Sequence, residues 1–303
     1  SGYNTSKELA MALSLSIEYT RKQFKKVKLV TNLFGKSLLI DHYKLDFDEV
    51  DTCLEGIDTI PESLWAYWKI YAYAQQTEPF IHLDNDVILL EKIPDSVLNC
   101  DMAFQNKEMF ASHLGYEDML KIAKSTKPNI PDIIYSGKNR WAYNCGVVIC
   151  NRLETVWEWC STVDSFILDE ESKLFFVKTK DKNYTNHFME QLFASRICEA
   201  NNIKVGEIIE NFSYKTCSKE TKLVHFWGGS KRMQVVSDKI SALLTRSKNP
   251  VLDIPVPDAD VFDSIYKKNI WGNGSGAGSS PEESLQFREL LEMFIKDNDI
   301  QSI

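Results

Sequence analysis

Phe80-Ile81-His82-Leu83-Asp84-Asn85-Asp86-Val87-Ile88-Leu89-Leu90 is the stretch on which the reading of this chain turns. An apolar, β-prone run is interrupted by two carboxylates separated by one residue. In open α/β sheets, ligands bind beyond the carboxyl ends of the strands, where such a turn would lie. Hard divalent cations prefer oxygen ligands, and carboxylates at that position can bridge a cation to a diphosphate. The plainer alternative is a solvated turn whose aspartates cap a helix or face water. The flanking apolar runs argue against it, because they would bury both sides of the turn and unpaired buried carboxylates are costly.

Working outward, helical and strand-like segments alternate. Residues 6–25 have an amphipathic helical spacing, with Leu9, Leu13, Ile17 and Phe24 near one face. A short strand is predicted over 27–31, a helix over 36–43, a strand over 50–54 and a helix over 64–76. Beyond the acidic turn, strands are predicted over 102–105, 145–150 and 223–226. Helices are predicted over 153–168, 186–200 and 236–246. Residues 110–139, polar and containing Pro128 and Pro131, read as an irregular loop or lid. The alternation predicts an α/β fold with a mainly parallel central sheet.

Composition narrows the function classes. The chain has 303 residues and a formal net charge of −8, which disfavours general binding to nucleic-acid backbones. No stretch approaches the ~20 consecutive apolar residues of a membrane span. Seven cysteines, an odd number without Cys-x-x-Cys spacing, suggest reduced thiols and a cytoplasmic setting rather than a disulfide framework or a zinc cluster. The start, Ser1-Gly2-Tyr3, shows no secretory signal and no initiator Met, and native chain is expected upstream.

Further motifs follow in order. Tyr143-Asn144-Cys145-Gly146-Val147-Val148-Ile149-Cys150 places an Asn at the start of a buried strand, with a Gly that lets a ligand approach the backbone. His187-Phe188-Met189-Glu190-Gln191 carries an acidic–amide pair. On a regular helix its two members point about 100° apart, so one faces a site or both lie on the surface. His225-Phe226-Trp227-Gly228-Gly229-Ser230-Lys231 combines an imidazole suited to manganese, glycines that admit an anion and a compact cation. The helix before the acidic turn carries Trp65, Trp68, Lys69 and Tyr73.

Over roughly residues 6–246 these motifs resemble glycosyltransferases of the GT-A fold. The Asp84-Asn85-Asp86 turn looks like their Asp-x-Asp signature. The other motifs are similar to elements of glycogenin and bacterial lipopolysaccharide galactosyltransferases, which retain anomeric configuration. The resemblance implies Mn2+ or Mg2+ held by Asp86, His225 and Asp84, with Asp84 binding the metal or the donor ribose. It implies that Lys231 and Gly228 meet the donor diphosphate and that Lys69 offers a basic group beside the donor. It also implies that Asn144, Glu190 and Gln191 line the sugar pocket. The activity implied is transfer of a sugar from a nucleoside diphosphate to a hydroxyl acceptor such as a glycan, with retention. GT-A domains begin with a strand that helps bind the base. Here a helix comes first, so the base-binding strand is expected upstream.

The composition shifts near residue 249, where Asn249-Pro250 and Ile254-Pro255-Val256-Pro257 read as a linker. The expected organisation is a catalytic domain over 1–248 and an extension over 249–303. Ile270-Trp271-Gly272-Asn273-Gly274-Ser275-Gly276-Ala277-Gly278-Ser279 resembles the lead-in to class I S-adenosylmethionine-dependent methyltransferases, which implies fusion to such a domain in a longer protein. A polar helix is predicted over 281–296. Two other readings share the acidic turn: a metal-dependent nucleotidyl- or phosphotransferase, and a non-catalytic binding module.

Overall fold

The computed structural model describes residues 3–57, 60–61, 63–110, 115–179, 182–212, 222–226 and 228–256. The glycine-rich stretch 271–280 and the helix predicted over 281–296 lie outside the described residues, as does Trp227. The first elements are α1 (Ser6–Thr20), β1 (Lys28–Val30), α2 (Leu33–Lys36, continuing as a π-helical turn Ser37–His42), β2 (Glu49–Asp51) and α3 (Trp65–Ala74). Next come β3 (Phe80–Leu83), β4 (Val87–Leu89), α4 (Asp95–Leu98), β5 (Met102–Met109), α5 (Tyr116–Thr126) and α6 (Asp132–Ser136). β6 (Trp141–Cys150), α7 (Leu153–Leu168), α8 (Lys173–Lys178), α9 (Lys182–His187) and α10 (Phe193–Ala200) follow, with a π-helical turn Phe188–Leu192 between the last two. The series ends with β7 (Val205–Glu207), β8 (Leu223–His225) and α11 (Gln234–Ser247).

The chain is mixed α/β and forms two compact units. The described residues within Ser1–Gly56, Asp84–Lys92 and Ser213–Ile303 make one, and those within Ile57–Leu83 and Ile93–Phe212 make the other. The chain passes from the second unit into the first between Leu83 and Asp84. The apolar run 80–90 is therefore two strands in two different sheets, not one.

In the first unit, α1 starts at a capping box. Thr5 Oγ1 accepts from Glu8 N at 3.1 Å, and Glu8 Oε2 accepts from Thr5 N at 3.2 Å, so each satisfies an orphan donor of the helix start. The buried face of α1, including Leu9, Ala12 and Leu15, shares a core with Leu39, Tyr43, Ile88, Val236, Ile240 and Leu244. β1 and β2 pair in parallel, and β4 and β8 pair antiparallel. Ser16 Oγ donates to the Val87 carbonyl at 2.8 Å and ties α1 to β4. The proline-containing segment read as linker from 249 is packed at its start. Pro250–Asp253 forms a 3-10 turn, Val251 is buried in the same core, and the Leu252 carbonyl accepts from Lys7 Nζ at 2.7 Å.

In the second unit, the sheet order is β3-β6-β5-β7. β6 runs antiparallel to both β3 and β5, and only the β5–β7 pair is parallel. The expected mainly parallel sheet is thus corrected to a mixed one. The cause is the ten-residue β6, buried along nearly its whole length, whose apolar pattern demands burial on both faces but carries no strand direction. Phe166 contacts Phe175, Phe176, Phe188 and Phe193 with ring centroids 5.0–6.0 Å apart, forming the aromatic part of this core. The lid expected over 110–139 is corrected too. α5 and α6 occupy much of it, and Tyr116, Met119, Ala123 and Ile134 are buried in the core. Polar residues here cover the outer faces of short amphipathic helices.

Candidate metal-binding site

Asp84, Asp86 and His225 each offer a ligand atom, and the three atoms lie within 4.8 Å of one another in the first unit. Strand pairing brings them together. Val87 stands opposite His225 in the β4–β8 ladder, and Phe226 N–H donates to the Asp86 carbonyl at 2.9 Å. Val87 N–H donates to the Asp84 carbonyl at 3.0 Å, closing the turn that carries both aspartates. After β8, the 3-10 turn Gly228–Arg232 leads into α11 and sends Lys231 back toward the aspartates. Lys231 Nζ lies 2.5 Å from Asp86 Oδ2. Gly228 opens that turn.

Asp86 is 3% exposed. Its Oδ1 is buried without a hydrogen-bond partner, and His225 Nε2 stands 3.4 Å from it. Burial pushes the Asp86 pKa up, but the Lys231 ammonium and His225 outweigh it and hold the carboxyl well below the usual carboxylate range. The group is therefore ionised at neutral pH. The Tyr3 ring lies under the ammonium, 5.9 Å from Nζ to centroid. Burial, followed by the charge of Asp86, pushes the Tyr3 hydroxyl upward, so it stays protonated. A buried ionised oxygen without a hydrogen bond, beside an imidazole nitrogen and a second carboxylate, fits a divalent cation with oxygen and nitrogen ligands.

The remaining predicted site residues fall in the second unit, in two sets of largely buried polar contacts. Lys69 Nζ, on α3, lies 2.5 Å from Glu190 Oε1 and donates to the Cys145 carbonyl at 2.9 Å. Asn144 Nδ2 donates to Glu108 Oε1 at 2.7 Å, and Asn144 Oδ1 accepts from Gly146 N–H at 2.9 Å. The Tyr116 hydroxyl reaches Glu108 Oε2 at 3.3 Å and also Gln191 Oε1. Asn144 lies inside β6 rather than at its start. Glu190 and Gln191 are both buried, at 1% and 7% exposure, so a pair on the helix surface is excluded. Each joins one of these sets from the π-helical turn Phe188–Leu192, whose wider winding redirects side chains relative to a regular helix.

A family profile described as "Family of unknown function (DUF6734)" matches residues 1–251. The chain belongs to the DUF6734 family. No curated protein and no solved structure matches it.

The DUF6734 match spans both the acidic turn and the lysine turn. Two residues of these contacts, Glu108 and Tyr116, stand outside the sequence motifs. The strand predicted over 102–105 continues to Met109, and its register shifts between Phe104 and Asn106. The signal was the polar run Gln105-Asn106-Lys107-Glu108 directly after an apolar strand start. Tyr116 falls within the stretch 110–139 that the sequence reads as a lid. Among the described residues of this DUF6734 chain, no helix is long and apolar enough to cross a membrane.

Proposed function

We propose that the protein is a GT-A-like, metal-dependent glycosyltransferase that uses a nucleoside-diphosphate sugar. The observation that carries the reading is the convergence of Asp84, Asp86 and His225 with Lys231 directly on Asp86. This is the set of groups that the resemblance implies for a cation and a diphosphate. Asp84, Asp86 and His225 would hold Mn2+ or Mg2+. When bound, the metal supplies Lewis-acid stabilisation of the charge that develops on the leaving diphosphate. Lys231 contributes a positive charge for the same anion. Lys231 and His225 keep the Asp86 carboxylate ionised against the cost of its burial, so the site is electrostatically organised before ligand arrives.

The sugar-handling role of Asn144, Glu190 and Gln191 is supported by the resemblance and by the chemistry of the second unit's two sets of polar contacts. Their carboxylates, amides and phenol suit polyhydroxylated ligands. Retention of configuration, a glycan acceptor and a fused methyltransferase remain part of this proposal on the resemblance alone.

The test is a panel of nucleotide-sugars incubated with the protein and Mn2+, read as release of nucleoside diphosphate and as thermal stabilisation. A donor present at 100 times its Kd should stabilise the fold by about 2.7 kcal/mol. Asp86→Ala should remove both responses. Incorporation of a nucleotide rather than release of a sugar would instead support a nucleotidyltransferase. Indifference of wild-type protein to every donor and metal would leave the glycosyltransferase reading without support.

A further inference from the structure

The two oxygens of Asp86 have unequal surroundings. Oδ2 is taken by the Lys231 ammonium at 2.5 Å, while Oδ1 is buried, lacks a hydrogen bond and faces His225 Nε2 at 3.4 Å. Both partners are largely shielded, with side-chain exposures of 4% for Asp86 and 13% for Lys231. A dication ligated through Oδ1 and an ammonium on Oδ2 would share one carboxylate in a poorly screened environment. Repulsion between like charges at such separation is strong where the dielectric is low. The lysine side chain has a flexible stem and hangs from a short 3-10 turn, so it has a means of leaving that the strand-borne His225 does not.

From this we infer that Lys231 is a built-in counter-ion that neutralises Asp86 in the metal-free protein and is expelled from it when a divalent cation binds. The inference rests on the metal site proposed above and adds its regulation. Metal and lysine compete for Asp86, and the expelled ammonium becomes the charge available to an anion on the metal. Linkage then makes the effect reciprocal. An anion that draws Lys231 away tightens metal binding by the same factor by which the metal tightens anion binding.

The experiment uses the full chain and Mn2+ alone as probe. Mn2+ affinity is measured by calorimetry for wild type and for Lys231→Met. Amine acetylation of wild type is read residue by residue by mass spectrometry, with the exposed Lys121 as internal reference. Lys231→Met should bind Mn2+ at least tenfold more tightly than wild type. Saturating Mn2+ should raise Lys231 acetylation at least fivefold and leave Lys121 unchanged. The acetylation arm needs no mutant, so a variant that fails to fold does not shield the idea. If wild type binds Mn2+ while Lys231 stays protected, or if Lys231→Met binds no more tightly, the competition is refuted and the metal site stands. If neither protein binds Mn2+, the metal site falls and this inference with it.

Discussion

Lys231 Nζ and Asp86 Oδ2 are 2.5 Å apart, joining the turn before β4 to the turn after β8 through one buried ion pair. Removing one partner of such a pair leaves the other charge buried and uncompensated. Lys231→Met should therefore destabilise the metal-free protein by roughly 3 kcal/mol, the lower end of the range for breaking a buried pair, because the lysine keeps some exposure. Urea unfolding measures this. Mn2+ should recover most of the loss by supplying the missing positive charge. A variant as stable as wild type without metal would mean that the pair contributes nothing.

The same pair sets a pH dependence. The Asp86 carboxyl is held below its ordinary value in the folded state, with burial opposing the shift and Lys231 and His225 prevailing. A group with a depressed folded pKa contributes stability above its unfolded value, here about 3.9, and loses it as pH falls through the folded value. The stability advantage of wild type over Asp86→Asn should thus be present at neutral pH and shrink steadily below about 4. Urea midpoints of both proteins from neutral pH downward check it. An advantage that persists unchanged at pH 3 would contradict the assigned shift.

In the second unit, Tyr116→Phe removes the hydroxyl that reaches both Glu108 and Gln191. Buried acceptors left without a donor cost about 1–3 kcal/mol. A double-mutant cycle with Gln191→Ala should show coupling of roughly 0.5 kcal/mol or more, since the two share a contact. Strict additivity would mean that the network is geometric coincidence.

Phe166 is fully buried and touches four other phenylalanines. Phe166→Ala should cost about 3–5 kcal/mol through lost burial and the cavity left behind. The two units have separate cores, so Mn2+ binding by the folded fraction should change little. Calorimetric titration alongside urea unfolding separates the two effects.

The sequence by itself determined features that depend on near neighbours in the chain. Thr5 and Glu8 start α1 because a capping box needs only residues three apart. The run Leu153–Leu168 forms a helix over its predicted extent because its periodicity is local. Asp84 and Asp86 were legible as a pair of carboxylates beside an apolar strand, and His225 and Lys231 as a motif that resembles their partners. Only the tertiary structure decided that β3 and β4 belong to different sheets, that β6 runs antiparallel to both neighbours, and that Glu108 and Tyr116 join Asn144 and Gln191. The reason is physical. Periodicity records which faces of a segment must leave water, whereas strand direction, register and the partner of a buried charge depend on residues far away in the chain. The contact of Lys231 with Asp86 is of that second kind, set by the pairing of Val87 with His225.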